Sequence, residues 1–285
     1  MPNPRFLQSF ASSPVFVSAE LRPPRAELQT HEGMDAWIDT YHTVRRLTRD
    51  GTMVFLTDSA VGTPEEDNLR HLVTNLGSDA PWERVVPFLT SKHPLDYCLA
   101  YADRAVQQGF PALVVLGGDK HVGTPRCLEH AWQLRQAIRE RQPDLILGGW
   151  ANPHADPAWQ AGLLASPSFG GEFYLTQIVS HHHADLVARF LRETAAQGLT
   201  MPGVFGVFYY RSANLKTLNM LREFLPVPVD GLVADFARGL SAADVCALSI
   251  RALMDAGVRH FYISNLPVTR ATQTLGEIMG RGGLG

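Results

Sequence analysis

The chain has 285 residues, 45% of them hydrophobic, and carries a formal net charge of −3. That length supports one barrel-sized core or two small domains. The near-neutral balance offers no basic footprint for nucleic acid, and no apolar run reaches the length of a membrane span. Cys98, Cys127 and Cys246 lie far apart in sequence without a CxxC pair and read as small buried side chains in a reducing cytoplasm. Arg5, the apolar residues after it and Val17-Ser18-Ala19 have the outline of a secretory leader. However, Gln8, Ser9, Ser12, Ser13 and Pro14 break its centre, and cleavage would remove the first strand, so a cytoplasmic location is expected.

From there the pattern alternates strand and helix. Residues 15–21 read as a strand stopped by Arg22-Pro23-Pro24, and Met34, Trp37, Ile38, Tyr41, Val44 and Leu47 follow at helical spacing. A second strand, 53–56, ends at Thr57-Asp58. Thr63-Pro64-Glu65-Glu66 then supplies an N-cap, a first-turn proline and acids for a helix start. Strand 85–89 precedes helix 94–108. The branched run 113–116 has the composition of a buried parallel strand and stops at Gly117-Gly118, with Asp119 just beyond. Thr124-Pro125 opens a helix to about Arg141, whose charged stretch 135–141 reads as a solvated face. Residues 145–147 and Gly148-Gly149 make a fifth strand ending in 150–154, with a short helix at 157–165. Strand 172–179 and helix 184–197, then strand 203–209 and helix 215–224, follow. A periodic helix at 242–256, strand 260–264 and helix 271–279 complete the chain. Eight βα units with no linker predict one α/β domain, a single (β/α)8 TIM barrel over 1–285 with no regulatory domain. A doubly wound open sheet is the alternative, but the first strand runs into Pro-Pro where that fold carries GxGxxG.

A barrel places its chemistry at the carboxyl ends of its strands. In chain order those ends hold Glu20, Thr57 and Asp58, Thr90 and Ser91, Asp119, Asn152 and His154, Gln177, Tyr209 and Tyr210, and Asn265. There is no GxSxG elbow for acyl transfer and no HExxH. His181-His182-His183 resembles a metal cluster, but adjacent side chains on a regular element point apart. The run therefore reads as a solvated helix start, and no metal is expected. Two carboxylates among amides and hydroxyls suit recognition of a heterocycle, or acid catalysis by a buried carboxyl. Structural readings stand beside these. Glu20 can pair with Arg22 or Arg25, Gln177 can plug the rim, and Gly117-Gly118-Asp119 can be a turn with Asp119 capping a helix.

At these residues the chain resembles the methylenetetrahydrofolate reductase family. Val17-Ser18-Ala19-Glu20-Leu21-Arg22-Pro23-Pro24 resembles the family's opening strand, and Pro87-Phe88-Leu89-Thr90-Ser91 its HLTC-type strand. Leu116-Gly117-Gly118-Asp119 resembles L-x-G-D, Phe173-Tyr174-Leu175-Thr176-Gln177 the strand ending in Thr-Gln, and His260-Phe261-Tyr262-Ile263-Ser264-Asn265 the last strand. The resemblance implies reduction of 5,10-methylenetetrahydrofolate to 5-methyltetrahydrofolate, with tetrahydrofolate derivatives as partners. Glu20 would be the general acid that opens the five-membered ring, Asp119 would stabilise the resulting iminium, and Gln177 would bond the pterin edge. Leu215 stands where the family often has a Phe near folate and nicotinamide, and Tyr209, Tyr210 and Phe208 are the aromatic residues available to substitute. Thr57, Thr90, Gly117, Gly118 and Asn152 are the candidate cofactor-binding positions.

The departures concern the flavin. The usual family member relays hydride through FAD. Here Phe88 replaces the histidine of the HLTC strand, Asn152 an aromatic residue before proline, and Asp156 a histidine. The segment 156–173 is short and lacks the family's lysine, and a carboxylate at Asp156 would oppose a diphosphate. The expectation is a flavin-independent enzyme resembling a divergent bacterial branch, with hydride passing directly from NAD(P)H; NADH is taken first. Lys92, Lys120 and Arg211 are the cations available to a 2′-phosphate. The alternatives are the same site run in reverse on 5-methyltetrahydrofolate, an FAD-dependent reductase, and a non-catalytic folate-binding barrel. Oligomeric state is left open.

Overall fold

The computed structural model describes residues 4–12, 14–24, 30–58 and 81–283. Short runs of branched and aromatic residues form eight strands: β1 (Phe16–Leu21), β2 (Val54–Leu56), β3 (Val85–Thr90), β4 (Ala112–Leu116), β5 (Ile146–Ala151), β6 (Phe173–Thr176), β7 (Gly203–Phe208) and β8 (His260–Ser264). Each pairs in parallel with the next, and β8 closes on β1. Ala19 is in register with Val54 on one side and Ile263 on the other. The result is the (β/α)8 barrel, whose closure leaves no strand edge unpaired. Around it, among the described residues, lie α1 (Pro4–Ala11), α2 (Thr30–Arg49), α3 (Leu95–Gln107), α4 (Ala131–Arg141), α5 (Pro157–Ala165), α6 (Ala184–Ala196), α7 (Leu215–Arg222), α8 (Val229–Ala237), α9 (Ala242–Asp255) and α10 (Ala271–Gly282). The helix start expected at Thr63-Pro64 lies outside the described residues, as does Arg25. No helix among the described residues is long and apolar enough to cross a membrane.

The two-residue period of a strand sorts the side chains into two cores. Ala19 and Leu21 of β1 pack outward with Val44 and Leu47 of α2. The inner core holds Phe55, Phe88, Val114, Phe173 and Tyr262, one from each of five strands. α1, which the sequence reading did not find, supplies Phe6 and Phe10 to this inner core. Phe10 meets Phe16 and His260, at the starts of β1 and β8, with ring centroids 5.0 and 5.2 Å apart. Phe6 lies 5.2 Å from Phe173 at the start of β6. The amino-terminal end of the barrel is therefore plugged with aromatic side chains, and the open end is the carboxyl-terminal one.

Several boundaries differ from expectation for local reasons. β5 starts one residue later than expected, at Ile146, and carries Gly148-Gly149 within it to Ala151, as the sequence predicts. A Cβ built on Gly148 would sit 2.4 Å from Cζ of Phe173, so glycine there makes room for the inward ring rather than a turn. α4 begins at Ala131, not at Thr124-Pro125. The buried Lys92 ammonium donates to the carbonyls of Val122 and Thr124, each at 2.7 Å, and Cys127 N–H donates to Ser91 O. Those bonds tie 122–127 down as a loop against the end of β3. Arg135 was read as solvated, yet it is 4% exposed. Its guanidinium lies 4.5 Å from the Phe169 ring centroid and donates to Phe169 O and Val115 O. Cys98 and Cys127, remote in sequence, are neighbours, and the Cys98 thiol donates to the carbonyls of Thr90 and His93. α8 was not expected. It belongs to a satellite apolar cluster that joins Phe208 and Tyr210 to Leu218 and Leu232.

Candidate active site

The same strand period that puts Ala19 and Leu21 outward turns Ser18 and Glu20 inward, and Glu20 reaches the open mouth as the last inward residue of β1. β8 lies beside β1 and alternates in the same way, so that Tyr262 and Ser264 also face inward. Ser264 Oγ donates to Glu20 Oε1 at 2.6 Å. One layer below, the Tyr262 hydroxyl donates to Thr176 O at 2.6 Å and closes the floor. Burial pushes the Glu20 carboxyl up to about 6, against the opposing pull of the Ser264 hydrogen bond and the Arg22 charge. The Arg22 pairing weighed from the sequence is thus the weakest of the three influences. A carboxyl in that range is about a tenth protonated at pH 7, which makes it a competent proton donor at neutral pH.

The other candidates are spread round the rim in different states. Asp119 is exposed, and its Oδ1 accepts from the backbone N–H of His121 at 2.8 Å. That bond holds its carboxyl below the usual range. Asp119 therefore closes a turn in the loop 117–130 and does not cap α4, whose cap is His130. The Arg126 guanidinium folds back over this loop, bonding Gly118 O and crowding Gly117, where a Cβ would lie 2.8 Å from Arg126 Cζ. Thr57 N–H donates to Leu21 O, and Asp58 accepts from Thr90 N–H at 2.7 Å and contacts His93 Nε2 at 2.9 Å. Thr90 is buried beneath this bridge between the ends of β2 and β3. Asn152 Oδ1 accepts from His154 N–H, and Gln177 Oε1 accepts from Ile178 N–H at 2.9 Å. The structure thus brings Glu20 and Ser264 into contact, but it turns the side-chain oxygens of Asp119, Asn152 and Gln177 onto their own loops.

Of the tyrosines after β7, Tyr209 packs against the outer core, while Tyr210 lies tilted against Phe208 with centroids 4.8 Å apart. Phe208 and Tyr210 are the inward pair by period, so the aromatic face at this strand end belongs to them. Leu215 opens α7 and is 55% exposed. Asn265, just past β8, has φ 66°, the left-handed region, and its Nδ2 donates to Tyr209 O. Among the described residues it is the single non-glycine residue there, a local strain at the mouth. Sequence reasoning missed Ser264 and Trp150 as mouth residues. The signal for Ser264 was the alternation His260, Tyr262, Ser264. Trp150 stands in the expected end of strand five, and the alternation of β5 puts it on the inner side, where it packs against the inner core.

No protein-family model matches this chain, and no curated protein matches it. Among solved structures it is similar to an uncharacterized protein from Clostridium thermocellum that binds two copies of 5-methyl-5,6,7,8-tetrahydrofolic acid. That likeness has a TM-score of 0.68 at 15% identity and covers 100% of both chains. The carboxyl transferase domain of Rhizobium etli pyruvate carboxylase is similar at a TM-score of 0.48 and 11% identity, over 92% of this chain and 41% of that one, too weak a likeness to argue from. At 15% identity the first likeness shows a shared fold, a full-length (β/α)8 barrel.

Proposed function

We propose that the barrel mouth binds a reduced folate and that the protein reduces 5,10-methylenetetrahydrofolate to 5-methyltetrahydrofolate, with hydride passing directly from NAD(P)H. The observation that carries this reading is Glu20, an inward carboxyl at the mouth whose pKa is lifted to about 6. Its place in Ser18-Ala19-Glu20-Leu21-Arg22-Pro23-Pro24 is that of the acid in the reductases the sequence resembles. The methyltetrahydrofolate bound by the Clostridium thermocellum protein, of the same fold, supports a folate as ligand. In the reaction, protonated Glu20 gives its proton to the ring nitrogen that departs as the five-membered ring opens. The carbon–nitrogen electron pair goes to that nitrogen, and the other nitrogen forms an iminium. Hydride from the nicotinamide adds to the iminium carbon, which becomes the methyl group, and the nucleotide leaves oxidised. Ionised Asp119 supplies negative charge at the rim against the cation, and the partly buried Trp150 offers a flat apolar face to the rings.

An FAD relay does not fit the residues present. The N-terminus of α5, after β5, is capped by Asp156, whose carboxylate accepts from Trp159 N–H at 2.8 Å. A helix end that already holds a carboxylate repels a diphosphate instead of binding it. The expected result is therefore a colourless protein, without a flavin band at about 450 nm, that oxidises NADH or NADPH anaerobically when methylenetetrahydrofolate is added. Activity that appears only on adding FAD would overturn the direct transfer. No nucleotide oxidation under either condition would leave the second reading, a folate-binding barrel without turnover, which the self-satisfied oxygens of Asp119 and Gln177 favour.

Because the acid works in its protonated form, kcat/KM falls as pH rises through about 6. The Ser264 hydroxyl favours the charged carboxylate, so its removal lifts the Glu20 pKa further. Ser264→Ala is expected to move that limb of the pH profile to higher pH with the remainder unchanged. A limb that stays in place would detach it from Glu20.

A further inference from the structure

The three histidines set aside as a solvated helix start do not splay apart. His181–His183 form a single 3₁₀ turn between β6 and α6, and the rings of His181 and His182 lie 3.8 Å apart, centroid to centroid. Nε2 of each stands 2.9 Å from one and the same oxygen, Oδ2 of Asp235 on α8. Asp235 is 1% exposed, and its other oxygen accepts from Arg238 at 2.5 Å. The three donor atoms, two imidazole nitrogens and a carboxylate oxygen, all lie within 4.8 Å of one another.

The contacts around His181 partner one of its nitrogens and leave the other without a hydrogen bond. Ser249 Oγ on α9 spends its one hydrogen on Val245 O, at 3.0 Å. Ser249 Oγ also stands 3.0 Å from His181 Nδ1, an outer partner that holds the ring in place. Its Nε2 is buried without a hydrogen-bond partner although Asp235 Oδ2 stands 2.9 Å away, because the oxygen lies off the axis of that nitrogen. A cation bound beside both would satisfy the nitrogen and the oxygen together. This arrangement, with the outer nitrogen of a histidine held by a neighbouring hydroxyl and the carboxylate steadied from behind by Arg238, is that of a supported metal ligand set. α8 is also shaped to admit it. A Cβ on Gly231, one turn before Asp235, would meet His182 Cε1 at 2.5 Å, so the helix carries no side chain where the ring enters.

We propose that His181, His182 and Asp235 bind one divalent transition-metal ion of the zinc class. Nitrogen and oxygen ligands about 2.0–2.2 Å from such an ion stand roughly 3 Å from one another, close to the separations from Asp235 Oδ2 already present. Two imidazoles disfavour magnesium and calcium, which take oxygen ligands. The ion clips the β6–α6 turn to α8, two connections joined otherwise by side-chain packing, and leaves a fourth position for water.

The test uses untagged, chelator-stripped protein titrated with Zn²⁺ by calorimetry and dialysis, with Co²⁺ as a spectroscopic probe. The expected result is one Zn²⁺ per chain, visible Co²⁺ ligand-field bands, and a thermal midpoint raised by Zn²⁺. His182→Gln and Asp235→Asn should each abolish stoichiometric binding, and Ser249→Ala should weaken it about 10- to 100-fold. His154→Gln should leave it unchanged. Absence of stoichiometric binding to wild type, or binding retained in His182→Gln, would overturn the site. His182 is the most exposed of the three, so its variant decides the matter should the Asp235 variant fail to fold.

Discussion

Glu20→Gln is expected to lower turnover of methylenetetrahydrofolate by about 10²–10⁴-fold, the span that a positioned general acid contributes, while the affinity for folate changes little. Glutamine keeps the shape and an oxygen that accepts from Ser264 Oγ, so the hydrogen bond at 2.6 Å survives and only the transferable proton is lost. The substitution also has a stability signature whose sign follows from the pKa. The carboxyl rises from 4.5 unfolded to about 6 folded, so the native state binds the proton more tightly. Stability from this group is greatest below pH 4.5 and declines as pH rises to about 6; above that, the charged carboxylate costs at most roughly 2 kcal/mol. Glu20→Gln should therefore be as stable as wild type at pH 4 and more stable at pH 7.5. Comparing thermal midpoints at the two pH values, beside single-turnover kinetics, reads both effects on one protein. Loss of folate affinity together with turnover, and a drop in midpoint at pH 7.5, would make Glu20 a structural residue and overturn the acid assignment.

What could be read in the sequence and what could not divide along a physical line. Each strand of the barrel is a short apolar run bounded by a turn, and a run of that kind announces itself locally. For β4 and β8 the expected and observed spans differ by at most one residue. The rim position of Glu20 was legible for the same reason, since a lone acid at the end of an apolar strand can only sit at the mouth or be buried. Features decided by partners far along the chain were not legible. Lys92 takes the carbonyls of Val122 and Thr124 and ties down as a loop the stretch where Thr124-Pro125 reads as a helix start. Arg135, on a helix of charged residues, is drawn inward by Val115 O and Phe169 O, which no local pattern reveals. The convergence of His181 and His182 depends on Asp235, more than fifty residues away, and on the 3₁₀ turn that sets both rings on one side. Asp119 shows the limit of motif reasoning. Its position at the end of β4 was evident, yet the nearest donor, His121 N–H, determines where its carboxylate points.

The inner core offers the second large effect. Gly148→Ala is expected to cost about 1–3 kcal/mol, the range for overpacking a filled interior. A methyl group there would lie 2.4–2.8 Å from three ring carbons of Phe173. That ring has little room to withdraw, because the Phe6 and Phe10 rings of the α1 plug stand 5.2 and 6.1 Å from it, centroid to centroid. The strain should thus pass to α1, and the variant should expose the plug to protease earlier than wild type does. Phe173→Leu shortens the side chain at the point of collision. By itself it leaves a void and destabilises the barrel, but in its presence Gly148→Ala should cost less than half as much. The double-mutant cycle, read from denaturant midpoints, should therefore show a favourable coupling of at least about 0.5 kcal/mol, the size expected of residues in contact. Additive costs would mean that β5 yields as a backbone and that the glycine serves the strand rather than the ring. Coupling would establish the Gly148–Phe173 pair as a fitted unit of the inner core, in which a missing side chain on one strand is the space another strand fills.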